Sequence, residues 1–507
     1  MAVIVPKVDE FAEKNSSSDS AKVDLADVKR KSVKGGMVTL LTQGCNILLQ
    51  LVSTVVLARL LSPEDYGVIA MVTAVTSFAN LFRDLGLSSA AIQKKNLTCD
   101  QQSNLFWINV AMGSILMLIV GAASPLIAWF YKKPELIAVT VALSSTFLIR
   151  SIGTQHGAML VRNMQFGRQA VATITGALVG MFVSIILALQ ERSYWALVWG
   201  TIAGAGTTTF LLFLLSPFWP GFITKGTGIR DMVKFGANVT AFGFVNYFSR
   251  NLDNLLIGKF SGPAALGIYS KAYSLLMLPI SSIRSPINAV AFPALCKLQH
   301  DPQSFREYYW GSVNFIAWLS MPLTAFMWLA SPELIDVLLG REWALVSPLF
   351  SWLAIAAFIQ PASGFVGSVL MSLGKGRRYL GTAILNSSVI AIGFFIGIQW
   401  GAKGVAISYA VSNYILIYPW YAYALRETPV KLGDFLRACS APAVVSIATA
   451  AICWIIRKQV TIGSSITGLV IIGILFGAVL LGLTCIIPRP RKEAAKMCAE
   501  LGRILKR

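Results

Sequence analysis

From about residue 36 to residue 487 the chain alternates long apolar stretches with short polar ones. The apolar windows lie near 36–61, 67–93, 104–130, 135–158, 169–190, 194–216, 234–258, 266–293, 309–330, 346–371, 379–399, 404–424, 439–456 and 464–487. A run of about 20 such residues is long enough for an α-helix to cross a hydrocarbon core of ~30 Å. The pattern predicts an all-α integral membrane protein of about 14 transmembrane helices. Residues 1–33 are polar, with no apolar core for a signal peptide, and read as a cytoplasmic tail. Residues 488–507 form a second, basic tail. It reads either as an amphipathic segment on anionic headgroups or as a solvated helix that fixes topology. The connections are too short for a soluble catalytic domain, so a membrane-bound polymerase or ligase with a large outer loop is not expected.

Composition agrees, with 55% hydrophobic and only 13% charged residues. Soluble domains carry about 25% charged residues. The formal charge is +20, but the cations are spread through short loops. No basic domain exists to hold a duplex, so nucleic acid is not an expected partner. Topology accounts for the excess better. Of the 43 Lys and Arg, 29 fall in the tails and the alternate loops on their side, nine in the opposite loops, and five within spans. The positive-inside rule then places both termini in the cytoplasm and requires an even number of spans.

Seven cysteines are scattered with no CxxC spacing, and His156 and His300 stand far apart. Neither a disulfide framework nor a metal site is indicated, and no cofactor is expected. Both histidines read as loop-end or interface residues.

An internal repeat organises the chain. "LARLLSPEDYGVI" at 57–69 matches "IGKFSGPAALGIY" at 257–269, aligning Pro63 with Pro263 and Gly67 with Gly267 at an offset of 200 residues. "VKGG" at 33–36 matches "VKFG" at 233–236 at the same offset. "ASPLIAWF" at 123–130 resembles "ASPELIDV" at 330–337, and "GAMLVRNMQFGR" at 157–168 resembles "GSVLMSLGKGRR" at 367–378, at offsets of 207 and 210. Six spans per repeat give two lobes of the same orientation, 34–220 and 230–426, around a central cleft. Two additional helices at 437–487 lie outside the repeat. This is transporter architecture, with substrate between the repeats and alternating access by rocking. A channel filter or charge ring is absent from the sequence.

Ionisable residues inside spans cost at least ~2.5 kcal/mol at the membrane centre, so they face a partner or a wet cavity. Arg250, Asp253 and Lys271 fall in one layer, ~8 Å below one surface for the latter two, by helical rise. Arg83, Asp84, Arg150 and Arg284 form a second layer nearer the cytoplasm, and the repeat pairs Asp84 with Arg284. Five cations against two anions suit an anionic substrate such as a phosphate, because Arg presents fork-shaped donors to its oxygens. The competing reading pairs Arg250 with Asp253 one turn apart and lets Lys271 and Arg284 snorkel to the interfaces. In span 8, Pro279, Pro286 and Pro293 recur every seven residues and should kink it, either for packing or for motion.

"LARLLSPEDYGVIAM", "FRDLGLSSAAIQKK", "LFWINVAMG" and "SRNLDNLLIGKFSGPAALGIYSKAYSLLMLPI" resemble the bacterial polysaccharide transporter family. These are the Wzx-type flippases of lipopolysaccharide and exopolysaccharide synthesis, close to the colanic acid exporter group. They belong to the multidrug/oligosaccharidyl-lipid/polysaccharide exporter superfamily, which also contains the lipid II flippase. The resemblance implies a non-enzymatic flippase of the bacterial inner membrane. It would carry an undecaprenyl-diphosphate-linked oligosaccharide between leaflets, among membrane lipids and other polysaccharide assembly proteins. By the same resemblance Arg250, Asp253 and Lys271 occupy motif positions; Arg250 and Arg83 are expected to contact the diphosphate in a cationic cleft that Arg150, Lys271 and Arg284 also line. Asp253, with Asp84, would serve coupling to H+ or Na+, or gating. A cation-coupled multidrug exporter of the same superfamily is the nearest rival, and a net cationic cleft disfavours it.

Overall fold

The computed structural model describes residues 25–83, 86–93, 97–224, 230–459 and 464–493, with backbone alone over 25–34 and 230–250 and at 81, 89, 90, 93, 285 and 289. Within these residues there is no strand. The helices are α1 (Leu25–Ala58), α2 (Pro63–Arg83), α3 (Leu87–Gln93), α4 (Cys99–Ala122), α5 (Ser124–Tyr131), α6 (Leu136–Arg162), α7 (Phe166–Glu191) and α8 (Trp195–Leu215). They continue as α9 (Arg230–Lys297), α10 (Pro302–Leu329), α11 (Ser331–Leu338), α12 (Val346–Ser363), α13 (Val366–Ser372), α14 (Gly376–Gly397), α15 (Gly401–Ala424), α16 (Leu432–Arg457) and α17 (Ser465–Ile486). An all-helical chain is what hydrocarbon demands, since each backbone N–H and C=O must be satisfied within its own segment.

Among the described residues, 11 stretches are long and apolar enough to cross a membrane, so the protein is a multi-pass membrane protein. That number does not confirm the expected count of 14, for two reasons. First, the stretches Asn251–Lys297 and Gly376–Ala424, 47 and 49 residues long, each count once although each holds two helices, divided at Gly262 and at Gly401. Each would extend ~70 Å as a straight helix, more than twice a hydrocarbon core. Second, α2 carries Glu64, Asp65, Asn80 and Arg83 and stops at Arg83, short of the expected end at 93. Gly86, at φ +67°, breaks the run before α3.

The helices gather into two sets that reuse one packing solution. In the first, α7 lies against α8 through small residues: a Cβ added at Gly180 would sit 2.8 Å from the Gly200 carbonyl oxygen. In the second, α14 lies against α15, and a Cβ at Gly404 would sit 2.1 Å from the Gly397 carbonyl oxygen. Glycine lets backbones approach where lipid supplies no hydrophobic drive between helices. A buried cluster containing Met71, Val72, Tyr269, Leu276, Trp343 and Phe350 joins the sets across α2, α9 and α12.

The last two helices pack on the second set, α16 against α10 and α17 against α11 and α16. Arg457 at the end of α16 holds them there, donating to the Leu329 carbonyl at 2.8 Å and pairing with Glu333 at 2.7 Å. The start of the basic tail is docked as well. Glu493 accepts from Asn314 Nδ2 at 3.0 Å and Trp318 Nε1 at 3.3 Å, and pairs with Arg489 at 3.2 Å. The rest of that tail, 494–507, and the N-terminal tail to residue 24 lie outside the described residues.

A candidate substrate site between the two helix sets

Gly262 divides α9. Its φ of +84° with ψ of 178° turns the chain back on itself before Pro263. Glycine adopts this conformation without a Cβ penalty. The expected loop over 259–265 is therefore a tight turn, and the helices on either side reach it. Asp253 and Lys271 each stand nine residues from Gly262, about 14 Å along their helices. They share a layer, as the sequence leads one to expect, but it lies deeper than ~8 Å because the helices are longer.

The two charges face different ways. Asp253 is buried, 6% exposed. Its Oδ2 accepts from the Tyr269 hydroxyl at 2.8 Å and its Oδ1 from the Asn254 backbone N–H at 2.8 Å. Tyr269 in turn stacks on Tyr273, with ring centroids 6.4 Å apart. Lys271 turns away from this pocket and crosses to the first helix set. Its Nζ lies 3.6 Å from the centroid of the Tyr66 ring on α2, and Tyr66 meets Trp343 edge-on at 5.4 Å. Among the described residues no carboxylate forms an ion pair with Lys271. It therefore does not snorkel to an interface. The side chain of Arg250 lies outside the described residues, and so does its expected pairing with Asp253.

The second layer is only partly assembled. Arg83 donates from Nη1 to Asn80 Oδ1 at 3.2 Å, one turn back on α2. Arg284 donates from Nη2 to the Gly364 carbonyl at 3.3 Å, and a Cβ at Gly364 would fall 2.7 Å from that same nitrogen. Arg284 is thus anchored between α12 and α13 rather than reaching for a lipid interface. Arg83 and Arg284 stand 20 and 21 residues beyond Pro63 and Pro263, so the offset of 200 aligns Arg284 with Asp84 and leaves Arg83 one residue away. Asp84, and with it the expected Asp84–Arg284 pair, lies outside the described residues. Arg150 is exposed on α6, with no hydrogen bond or ion pair from its side chain among the described residues. No group of three or more His, Cys, Asp and Glu that could hold a metal ion occurs among them either.

The end of the molecule that carries the Gly262 turn is sealed. A Cβ at Gly67 would lie 1.8 Å from the Pro263 carbonyl oxygen, and a Cβ at Gly267 would lie 1.9 Å from the Pro63 carbonyl oxygen. The repeat's aligned Pro and Gly positions thus touch each other reciprocally. Around this contact, Trp343 Nε1 donates to the Ala58 carbonyl at 2.7 Å, Arg59 to the Val337 carbonyl at 2.9 Å, and Lys259 to the Phe130 carbonyl. Sequence reasoning missed Tyr66, Tyr269 and Trp343. The first two flank the aligned glycines in "DYGVI" and "GIYSK", which is the signal that could have found them.

An apolar cavity of about 750 Å³ lies between α10, α12, α15 and α16, lined by Trp328, Phe358, Tyr414 and Trp454 among others.

Residues 56–348 match the family model described as polysaccharide biosynthesis protein. The chain belongs to this family. The teichuronic acid biosynthesis protein TuaB of Bacillus subtilis is 27% identical over 84% of this chain and 88% of its own. The lipopolysaccharide biosynthesis protein WzxC of Escherichia coli is 22% identical over 80% and 85%. The succinoglycan biosynthesis transport protein ExoT of Rhizobium meliloti is 23% identical over 76% and 79%. Among solved structures, the lipid II flippase MurJ in an inward closed conformation superposes with a TM-score of 0.71 at 14% identity, over 90% of this chain and 99% of that one. An inward-facing multidrug MATE transporter superposes at 0.60 and 12% identity, over 77% and 96%. The fold is thus one shared with the lipid II flippase and the MATE transporter, and by family the chain is a polysaccharide biosynthesis protein.

Proposed function

We propose that this protein flips an undecaprenyl-diphosphate-linked oligosaccharide across the bacterial inner membrane by alternating access. The observation that carries the reading is Lys271, an ammonium at the junction of the two helix sets that rests on the Tyr66 ring, with no carboxylate ion-paired to it among the described residues. A diphosphate is a fitting counter-charge for such a cation, and Arg83 and Arg284 provide further cations down the same helices. The apolar cavity beside α16 is a reasonable berth for part of a polyisoprenyl chain. WzxC and ExoT, as polysaccharide biosynthesis and transport proteins, support the substrate class.

Asp253 is the carboxylate we assign to coupling with H+ or Na+, since it is buried, paired with a phenol and separate from Lys271. The 29 to nine distribution of Lys and Arg supports cytoplasmic termini, which turns the sealed Gly67–Pro263 end outward. The site then loads from the cytoplasm. Deleting the gene tests the proposal. Lipid-linked oligosaccharide should accumulate on the cytoplasmic leaflet, with drug tolerance unchanged. Drug sensitivity without accumulation would favour the multidrug exporter instead.

A further inference from the structure

The first helix set contains a buried polar layer that the transport site does not use. α4 and α6 pack antiparallel: a Cβ at Gly113 would sit 2.4 Å from Ser151 Oγ, and one at Gly121 lies 3.7 Å from Ser144 Oγ. This register puts Asn109 opposite Gln155. Asn109, Ser151, Gln155 and His156 are all 0% exposed. Yet both amide atoms of Asn109 and of Gln155, the Ser151 hydroxyl and both His156 ring nitrogens have no hydrogen-bond partner among the described residues. The His156 ring is enclosed by Phe106, Phe213 and Phe218, at centroid distances of 5.7, 4.8 and 5.3 Å. It is therefore a core residue, not the loop-end or interface residue its isolation in the sequence suggested.

The fold itself does not need polar residues here. Aligning Gly157 with Gly367, an offset of 210, places Pro361, Phe365 and Val366 of the second set where the first has Ser151, Gln155 and His156. Those three are buried, and Phe365 and Val366 pack with Tyr309 and Val313 in an ordinary apolar core. One half of the molecule thus fills these three positions with apolar side chains.

We propose that Asn109, Ser151 and Gln155 form a closed hydration site in which ordered water bridges α4 to α6 and reaches His156. The chemistry selects water over a cation. A cation satisfies only acceptors, whereas the unpartnered atoms include the two amide nitrogens, a hydroxyl and an imidazole N–H, which donate. Water does both, and buried waters typically make about three such bonds to otherwise unsatisfied groups.

Thermal unfolding of the purified full-length chain tests this with Asn109→Leu, Gln155→Leu and the double variant, in Na+, K+ and choline buffers of equal ionic strength. Each single variant should lower the midpoint by a few degrees, because it strips the bridging water of partners. The double variant should fall no further than either single. Single variants that raise the midpoint, or effects that simply add, would overturn the site. So would a midpoint that rises with Na+ or K+ only while Asn109 and Gln155 are present, since that marks a bound ion. High-resolution cryo-microscopy of the unmodified protein gives a second measurement. Discrete density bridging Asn109 and Gln155 is expected, and a direct side-chain bond between the two overturns the proposal.

Discussion

Gly67 on α2 and Pro263 on α9 meet so closely that a single Cβ at Gly67 would fall 1.8 Å from the Pro263 carbonyl oxygen. Gly267 and Pro63 repeat the contact in reverse, at 1.9 Å. A side chain at either glycine cannot be absorbed by a rotamer change, because the obstacle is backbone. The two helix sets would have to part.

Gly67→Ala and Gly267→Ala should therefore destabilise the sealed end by about 1–3 kcal/mol, the usual cost of overpacking. That is on the order of a tenfold shift or more toward the state open at that end. Fluorescence or electron-spin distance measurements across Arg59 and Val337 should report wider separations in both variants. Unchanged distances would mean that the contact does not hold the end shut.

Lys271 and Tyr66 give a second prediction. A desolvated cation–π contact is worth about 2 kcal/mol or more, and it needs a ring rather than a hydroxyl. Tyr66→Phe should keep stability and export within about twofold of the unmodified protein, whereas Tyr66→Leu should lower both. Lys271→Met in the Tyr66→Leu background should then add little stability loss in thermal unfolding. Equal defects in Tyr66→Phe and Tyr66→Leu would point to the phenol instead.

The Asp253 carboxylate accepts from the Tyr269 hydroxyl, besides the Asn254 backbone N–H. Tyr269→Phe leaves the packing in place but removes that donor, with an expected loss of about 1–3 kcal/mol for a bond to a charged group. Asp253→Asn should suppress export while leaving the protein folded. If Asp253→Asn cells export polymer at the normal rate, the coupling role assigned to this carboxylate is wrong.

The attachment of the last two helices is a separate matter from transport. Arg457→Ala leaves the largely buried Glu333 without its partner, at a cost of about 1–3 kcal/mol. Adding Glu333→Gln should recover part of the loss in the unfolding midpoint. Substrate export should change far less than in the Lys271 variant.

The helical membrane fold was legible because hydrophobic runs and Lys/Arg bias are one-dimensional signals. The number of crossings was less so. Polar residues in α2 and the short turns at Gly262 and Gly401 within 251–297 and 376–424 blur the boundaries on which a count depends. The repeat foresaw more than equivalence, since its aligned Pro63, Gly67, Pro263 and Gly267 prove to touch. Asp253 and Lys271 stood out as charges in apolar helices, and their common depth followed from helical rise. Their facing directions did not, because Tyr269 reaches Asp253 only through the Gly262 turn and Tyr66 reaches Lys271 only where the two sets meet. A lone histidine carries no spacing signal, and so the burial of His156 was invisible.

The central claim is most directly tested by leaflet accessibility in proteoliposomes. The purified protein is reconstituted with a lipid-diphosphate-linked oligosaccharide, and an impermeant glycosidase or lectin reports the fraction exposed outside. An imposed ion gradient should move the substrate between leaflets with the unmodified protein, and Lys271→Ala should slow that movement at least tenfold. Equal rates for the unmodified protein, the Lys271→Ala variant and protein-free vesicles would contradict the account.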